Sequence, residues 1–172
     1  MKKINYAVFL FALLITTNAF SQGMIPPEPV NLEVLNKSLG TWVSEPYDMM
    51  GMKMSDEVTM SLILNGQFLE VKVKSKADNG FEYNALVIMA PSADGTMTGT
   101  GYDIFGKNAI TNYTSTSKDN TIYMSGVSSW GTETRNITMD GNIMTQNVIM
   151  NMKGADGKEM PEMSMSISYN RK

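Results

Sequence analysis

From Gly40 to the C-terminus, apolar and polar residues alternate in short runs, and a turn signal breaks the alternation at nearly regular intervals. The signals are Asn65-Gly66, Asp78-Asn79-Gly80, Ser92 to Gly95, Gly106-Lys107-Asn108, Lys118 to Asn120, Asp140-Gly141 and Gly154 to Gly157. Such residues supply the left-handed backbone that tight hairpin turns require, and a period of two sends successive side chains to opposite faces of a strand. The spacing predicts about ten strands, over 40–46, 56–64, 67–75, 80–90, 97–103, 109–116, 121–129, 132–139, 142–151 and 162–170.

Leu69, Val71 and Val73 alternate with Glu70, Lys72 and Lys74, and Val58, Met60, Leu62 and Leu64 line one side of the preceding strand. Each strand therefore buries one face only. Successive hairpins of this kind close most simply into an antiparallel up-and-down β-barrel, which leaves no unpaired edge. A two-sheet sandwich satisfies the same pattern, and periodicity does not separate the two. One helix is expected, capped by Asn31, carrying Leu32, Leu35 and Leu39 on one side and stopped by Gly40.

Lys2 and Lys3 precede an apolar run from Ala7 to Ile15, and small or polar residues follow to Ser21. That pattern predicts a signal peptide over residues 1–21 with cleavage before Gln22, hence an exported protein, periplasmic or secreted. The run is shorter than the roughly 20 apolar residues of a membrane span, and no later stretch is apolar enough to be one. Pro26, Pro27 and Pro29 make residues 22–30 an extended lead-in to a single domain over 31–172. Removing Lys2 and Lys3 leaves 12 basic against 17 acidic residues, a net charge of −5. The charges are scattered, which argues against nucleic acid as a partner.

There is no cysteine, so stability rests on packing and strand pairing. There is no histidine either, which removes the commonest general base, zinc ligand and haem ligand together.

Several short motifs resemble the bacterial domain-of-unknown-function family 1579. They are Leu35-Asn-Lys-Ser-Leu39-Gly40-Thr41-Trp42, Met50-Gly51-Met52, Gly66-Gln-Phe68-Leu69, Gly101-Tyr102-Asp103 and the terminal Ile167-Ser168-Tyr169-Asn170-Arg171-Lys172. The resemblance spans the domain and implies a lipocalin-like, calycin-type barrel; it brings no catalytic residues. The Gly-x-Trp after a short helix is also similar to the opening of fatty-acid-binding and nitrobindin-like barrels. Nitrobindin-like proteins bind haem through a histidine, which this chain lacks.

Trp42 is expected either to plug the barrel end beside the helix, near Arg135 or Arg171, or to form a wall of a ligand site. An inward set of Tyr83, Tyr102, Tyr113 and Arg135 would give a barrel cavity convergent polar groups suited to a small apolar or amphipathic ligand, with Arg135 matching a negative head. The later strands carry Asn112, Thr114, Thr116, Ser125, Ser129, Thr132, Thr134 and Asn136, which either share that cavity or form an ordinary polar outer face.

Methionine is the compositional oddity, at 17 residues. Met49, Met50, Met52 and Met54 fall in a polar loop, and Met160, Met163 and Met165 form a second group. Thioethers are soft ligands able to hold Cu(I), whereas methionine within strands, as at Met60, Met124, Met139, Met144 and Met150, serves as an adaptable core filler. The loop group also suits an apolar lid or an interaction surface for an envelope partner.

No catalytic constellation is visible. Asp56 and Glu57 are strand neighbours and point to opposite faces, Glu133 and Arg135 share a face as a surface ion pair would, and no cofactor motif is present. The reading is an exported, non-catalytic binding barrel, with Cu(I) binding or protein–protein interaction as alternatives.

Overall fold

A computed structural model describes residues 27–154 and 156–172. The signal peptide expected over 1–21 and the first part of the lead-in lie outside the described residues. The alternating pattern folds into one antiparallel sheet of eleven strands. They are β1 (Gly40–Ser44), β2 (Tyr47–Met49), β3 (Met52–Ile63), β4 (Phe68–Ala77), β5 (Glu82–Pro91), β6 (Thr96–Asp103), β7 (Thr111–Lys118), β8 (Thr121–Ser128), β9 (Gly131–Asp140), β10 (Ile143–Met152) and β11 (Met163–Arg171).

From β3 to β11 every strand pairs with its neighbours in sequence, and β1 lies between β11 and β3, with Trp42 opposite Arg171 on one side and Val58 on the other. That double pairing closes ten strands into an up-and-down barrel and rules out the sandwich. The short β2 pairs with β3 alone.

The segment from Met49 to Met54 is a hairpin rather than a loop. Met54, Asp56, Val58 and Met60 continue one inward parity along β3, so the alternation runs back to Met52 and the strand starts four residues before its expected position. Met50 and Gly51 form the turn, both with positive φ.

Helix α1 (Glu33–Ser38) starts at Leu32, not under an Asn31 cap; the Asn31 side-chain carbonyl instead accepts a hydrogen bond from the Asn36 amide. The helix ends at an extended Leu39, and Gly40, at φ +119°, is already the first residue of β1. Val34 and Leu35 bury themselves in the barrel end.

Trp42 is wholly buried beside them. Its indole N–H donates to the Ser38 carbonyl at 2.8 Å, and the Arg171 guanidinium carbon lies 4.2 Å from the ring centroid. Arg171 also donates to the Lys37 and Leu39 carbonyls, which gives carbonyls at the helix C-terminus partners from the last strand. Trp42 is therefore a plug held by Arg171, and it does not wall a ligand site.

Around the plug, Met60, Leu69, Met89, Met97, Ile122, Ile137, Met139 and Met144 fill one half of the barrel. Of the methionines expected within strands, Met60, Met139 and Met144 are core fillers there and Met124 packs against them, while Met150 is buried toward the other end, opposite Glu133. The helix shuts this end, and the turns after β2, β4, β6, β8 and β10 surround the other, which we call the mouth.

Candidate functional site

Toward the mouth, the inward positions change character. Asp56 is buried on β3 and accepts hydrogen bonds from the Tyr47 hydroxyl, 3.0 Å to either oxygen, and from the Tyr169 hydroxyl at 2.9 Å. Its own backbone N–H donates to the Ser44 hydroxyl oxygen at 2.8 Å, which fixes β3 against β1. On β5 and β6, the Tyr83 hydroxyl donates to Asp103 at 3.2 Å, and the same carboxylate accepts the Phe105 backbone N–H at 2.8 Å.

Glu133 and Arg135 share the inward face of β9. Their closest atoms are 2.7 Å apart, and Arg135 also donates to the Gln146 side-chain carbonyl at 3.3 Å. The pair lies inside the barrel, not on its surface. Burial disfavours the charged form of Glu133, but Arg135 outweighs it and holds the carboxyl below its usual range. Burial acts against the guanidinium as well, and Glu133 outweighs that to keep it protonated. Arg135 also acts electrostatically on Tyr47, Tyr83, Tyr113 and Tyr169, and so on members of both tyrosine–carboxylate groups.

These four hydroxyls are all pushed above the usual tyrosine range, first by burial and then by a carboxylate: Asp56 for Tyr47 and Tyr169, Asp103 for Tyr83, Glu133 for Tyr113. They stay protonated, and those of Tyr47, Tyr83 and Tyr169 serve as donors.

Two glycines make room for Tyr113. A Cβ on Gly101 would stand 2.7 Å from one ring carbon of Tyr113, and a Cβ on Gly126 would stand 2.6 Å from another. Both strands flanking β7 thus lack a side chain where the ring lies, which explains glycine inside a strand at each place.

Arg135 is enclosed by the barrel wall in mid-strand, yet 29% of its side-chain surface stays accessible, as does 14% of that of Glu133. Accessible area on an inward side chain requires open space within the barrel. Among the described residues, three buried polar atoms have no hydrogen-bond partner: Arg135 Nε itself, Glu133 Oε1 beside it, and Ser115 Oγ, two strands away on β7. Unpartnered groups of this sort cost about 1–3 kcal/mol each.

The mouth carries exposed Phe81, Ile104, Phe105, Ile110 and Trp130. Phe105 stands 6.4 Å from both Tyr83 and Trp130, ring centre to ring centre, so the aromatic series runs from the rim into the barrel. On the outer wall, two shallow depressions are open to solvent, one lined by Thr134, Asn136, Asn147 and Ser166 and the other by Lys74, Lys76, Glu82 and Asn84.

Of the residues expected in the cavity, Tyr83, Tyr113 and Arg135 are brought together. Tyr102 points outward at 49% exposure, because Gly101 and Asp103 hold the inward parity of β6. The serine, threonine and asparagine residues of the later strands form the polar outer face, with Asn112, Thr114, Thr116, Ser125, Ser129, Thr132, Thr134 and Asn136 all exposed.

The four hairpin methionines do not converge either. Met54 is buried in the barrel wall, Met50 is 59% exposed at the turn, and only Met49 and Met52 face each other across the hairpin. The residues that sequence reasoning missed are Tyr47, Asp56, Asp103, Ser115, Gln146 and Tyr169. Their signal was parity, since each is a polar or tyrosine side chain at an inward strand position, except for Tyr47, which lies outside every expected strand.

Among the described residues, no helix is long and apolar enough to cross a membrane. No family model matches the chain, and no curated protein does. Among solved structures, the crystal structure of Rv2717c from M. tuberculosis is similar, with 15% sequence identity, a TM-score of 0.59, and coverage of 82% of this chain and 98% of that one. At that identity the likeness supports the fold alone.

Proposed function

We propose that the protein is a non-catalytic binding barrel that takes a small amphipathic ligand through the mouth, with the apolar part against the aromatic rim and the polar head among the buried tyrosines and Arg135. The observation that carries this reading is the accessible surface on the enclosed Arg135, together with the unpartnered atoms near it. A fully packed lumen has no use for either. The opening of the sequence, with its basic residues, apolar run and small residues, supports export of the protein that does this binding.

The test is native mass spectrometry on protein isolated without denaturation. A bound organic mass of a few hundred daltons, typical of a drug-sized pocket ligand, is the expected result. Trp130 gives a second readout, since it stands at the rim while Trp42, the other of the two tryptophans, is sealed at the closed end. Ligand entry should change Trp130 fluorescence, and Trp130→Phe should abolish the change. Bare protein together with an unresponsive Trp130 across an amphiphile panel would remove the reading.

A further inference from the structure

We propose that the barrel selects amphiphiles with a cationic alkylammonium head and discriminates against carboxylates. The inference rests on the ligand reading above and adds the class of head group. A lone arginine inside a barrel points toward anionic ligands, but here Arg135 is already answered by Glu133 at 2.7 Å and by Gln146. Two further carboxylates share the lumen with them. Asp56 is held by the Tyr47 and Tyr169 hydroxyls and a backbone strut, and Asp103 by the Tyr83 hydroxyl and the Phe105 N–H, and among the described residues neither is paired with a cation.

The lumen therefore counts three carboxylates against one guanidinium. Its net formal charge is −2, in a space where charges are poorly screened.

Two features make an organic cation the better match than a metal ion. Among the described residues, no three acidic side chains converge as a metal-ligand set, so the negative charge is spread along the lumen. Aromatic rings accompany it: Tyr83, Phe105 and Trp130 form a series from lumen to rim, and ring faces attract ammonium groups. Glu133 keeps 14% of its side-chain surface accessible, and an ammonium head would meet its carboxylate there. Arg135 Nε lacks an acceptor, but a carboxylate placed there would meet Glu133 across the same guanidinium.

The experiment compares dodecylammonium, dodecanol and dodecanoate below their micelle concentrations at physiological salt, read by calorimetry and by Trp130 fluorescence. Dodecylammonium should bind about tenfold or more tighter than dodecanoate, with dodecanol between, since one poorly screened charge contact suffices for that ratio. Glu133→Gln should shrink the ammonium-to-alcohol ratio several-fold. Glu57→Gln, on the outer wall beside Lys172, should leave the ratio unchanged and so separates lumen charge from general attraction to an acidic protein. Circular dichroism checks that both variants are folded. Equal or reversed ranking, or equal effects of the two variants, overturns the charge selection while leaving a binding barrel standing. Failure of all three to bind overturns the binding barrel itself, and the selection with it.

Discussion

The two halves of the barrel are built from the same strands and differ in what they put at inward positions. At the closed end these are Trp42, Met97, Met139 and Met144, all essentially without accessible surface, with α1 laid across them. Toward the mouth they are Tyr47, Asp56, Tyr83, Asp103, Tyr113, Glu133 and Arg135, with glycine where a ring needs room. The first set is dry and fully packed, and the second is polar and incompletely partnered. The closed end carries the stability that lets the mouth half keep open space and unpaired atoms.

Trp42→Ala is the strongest way to break that division. It deletes the largest side chain of the closed end, the indole bond to Ser38 and the surface beneath Arg171. A loss of about 3–5 kcal/mol follows from truncating a buried aromatic, measurable as a lower denaturant midpoint. A loss under about 1 kcal/mol would mean that the plug does not carry the fold.

Gly126→Ala probes the mouth half by adding one carbon. The new Cβ would stand 2.6 Å from the Tyr113 ring, 2.9 Å from Glu133 Cγ and 3.0 Å from a Thr111 methyl, all on the lumen side. Overpacking of this kind costs about 1–3 kcal/mol, less than the plug. It should also displace Tyr113 and weaken ligand binding. Stability falling without any change in binding would place Tyr113 outside the pocket.

Alkaline pH separates the halves without mutation. Tyr169 is buried, and its folded pKa lies above the unfolded value of about 10 because burial and then Asp56 disfavour the phenolate. Above that pH the unfolded chain releases a proton that the folded chain keeps. The contribution is therefore constant below about pH 10 and is lost as pH rises further, at about 1.4 kcal/mol per pH unit for this group. Tyr169→Phe should flatten the alkaline limb of a pH–stability curve while removing one hydrogen bond to Asp56. An unchanged limb would show that the tyrosine–carboxylate group does not govern it.

The wall was legible in the sequence because a strand's period of two is written locally, and turn residues mark where each strand ends. The plug was legible because a large aromatic beside a short helix favours a core role, and of the two basic neighbours expected for Trp42, Arg135 and Arg171, it is Arg171 that stacks on it. The hairpin of β2 and β3 was not, because Met49 to Met54 lack the β-branched residues that mark strands, and methionine fits loop, core and ligand roles alike. Arg135 was expected among the inward residues, but reading it with Glu133 as a surface ion pair left Glu133 outside. Parity counted from Ile137 and Met139 places them inside, as it places Tyr102 outside. Which inward polar groups meet across the lumen depends on barrel closure, and no local pattern encodes that.

The smallest effect on stability should come from the rim, and there the comparison is sharpest. Phe105 and Trp130 are exposed at 55% and 38%, and their rings touch the lumen only through Tyr83. Replacing both with serine removes apolar surface that the fold barely buries, so stability should move by no more than about 0.5 kcal/mol per site. Two large aromatics contribute far more than that when an apolar ligand covers them, at about 25 cal/mol per Å² removed from water. The double variant should therefore lose ligand affinity by roughly tenfold or more while its melting temperature shifts by only a few degrees. Exposed apolar groups that cost the folded chain little to remove but cost the complex a great deal are the mark of a surface kept for binding. A variant that melts as early as Trp42→Ala would make the rim part of the core, and the two halves of the barrel would then differ in polarity alone.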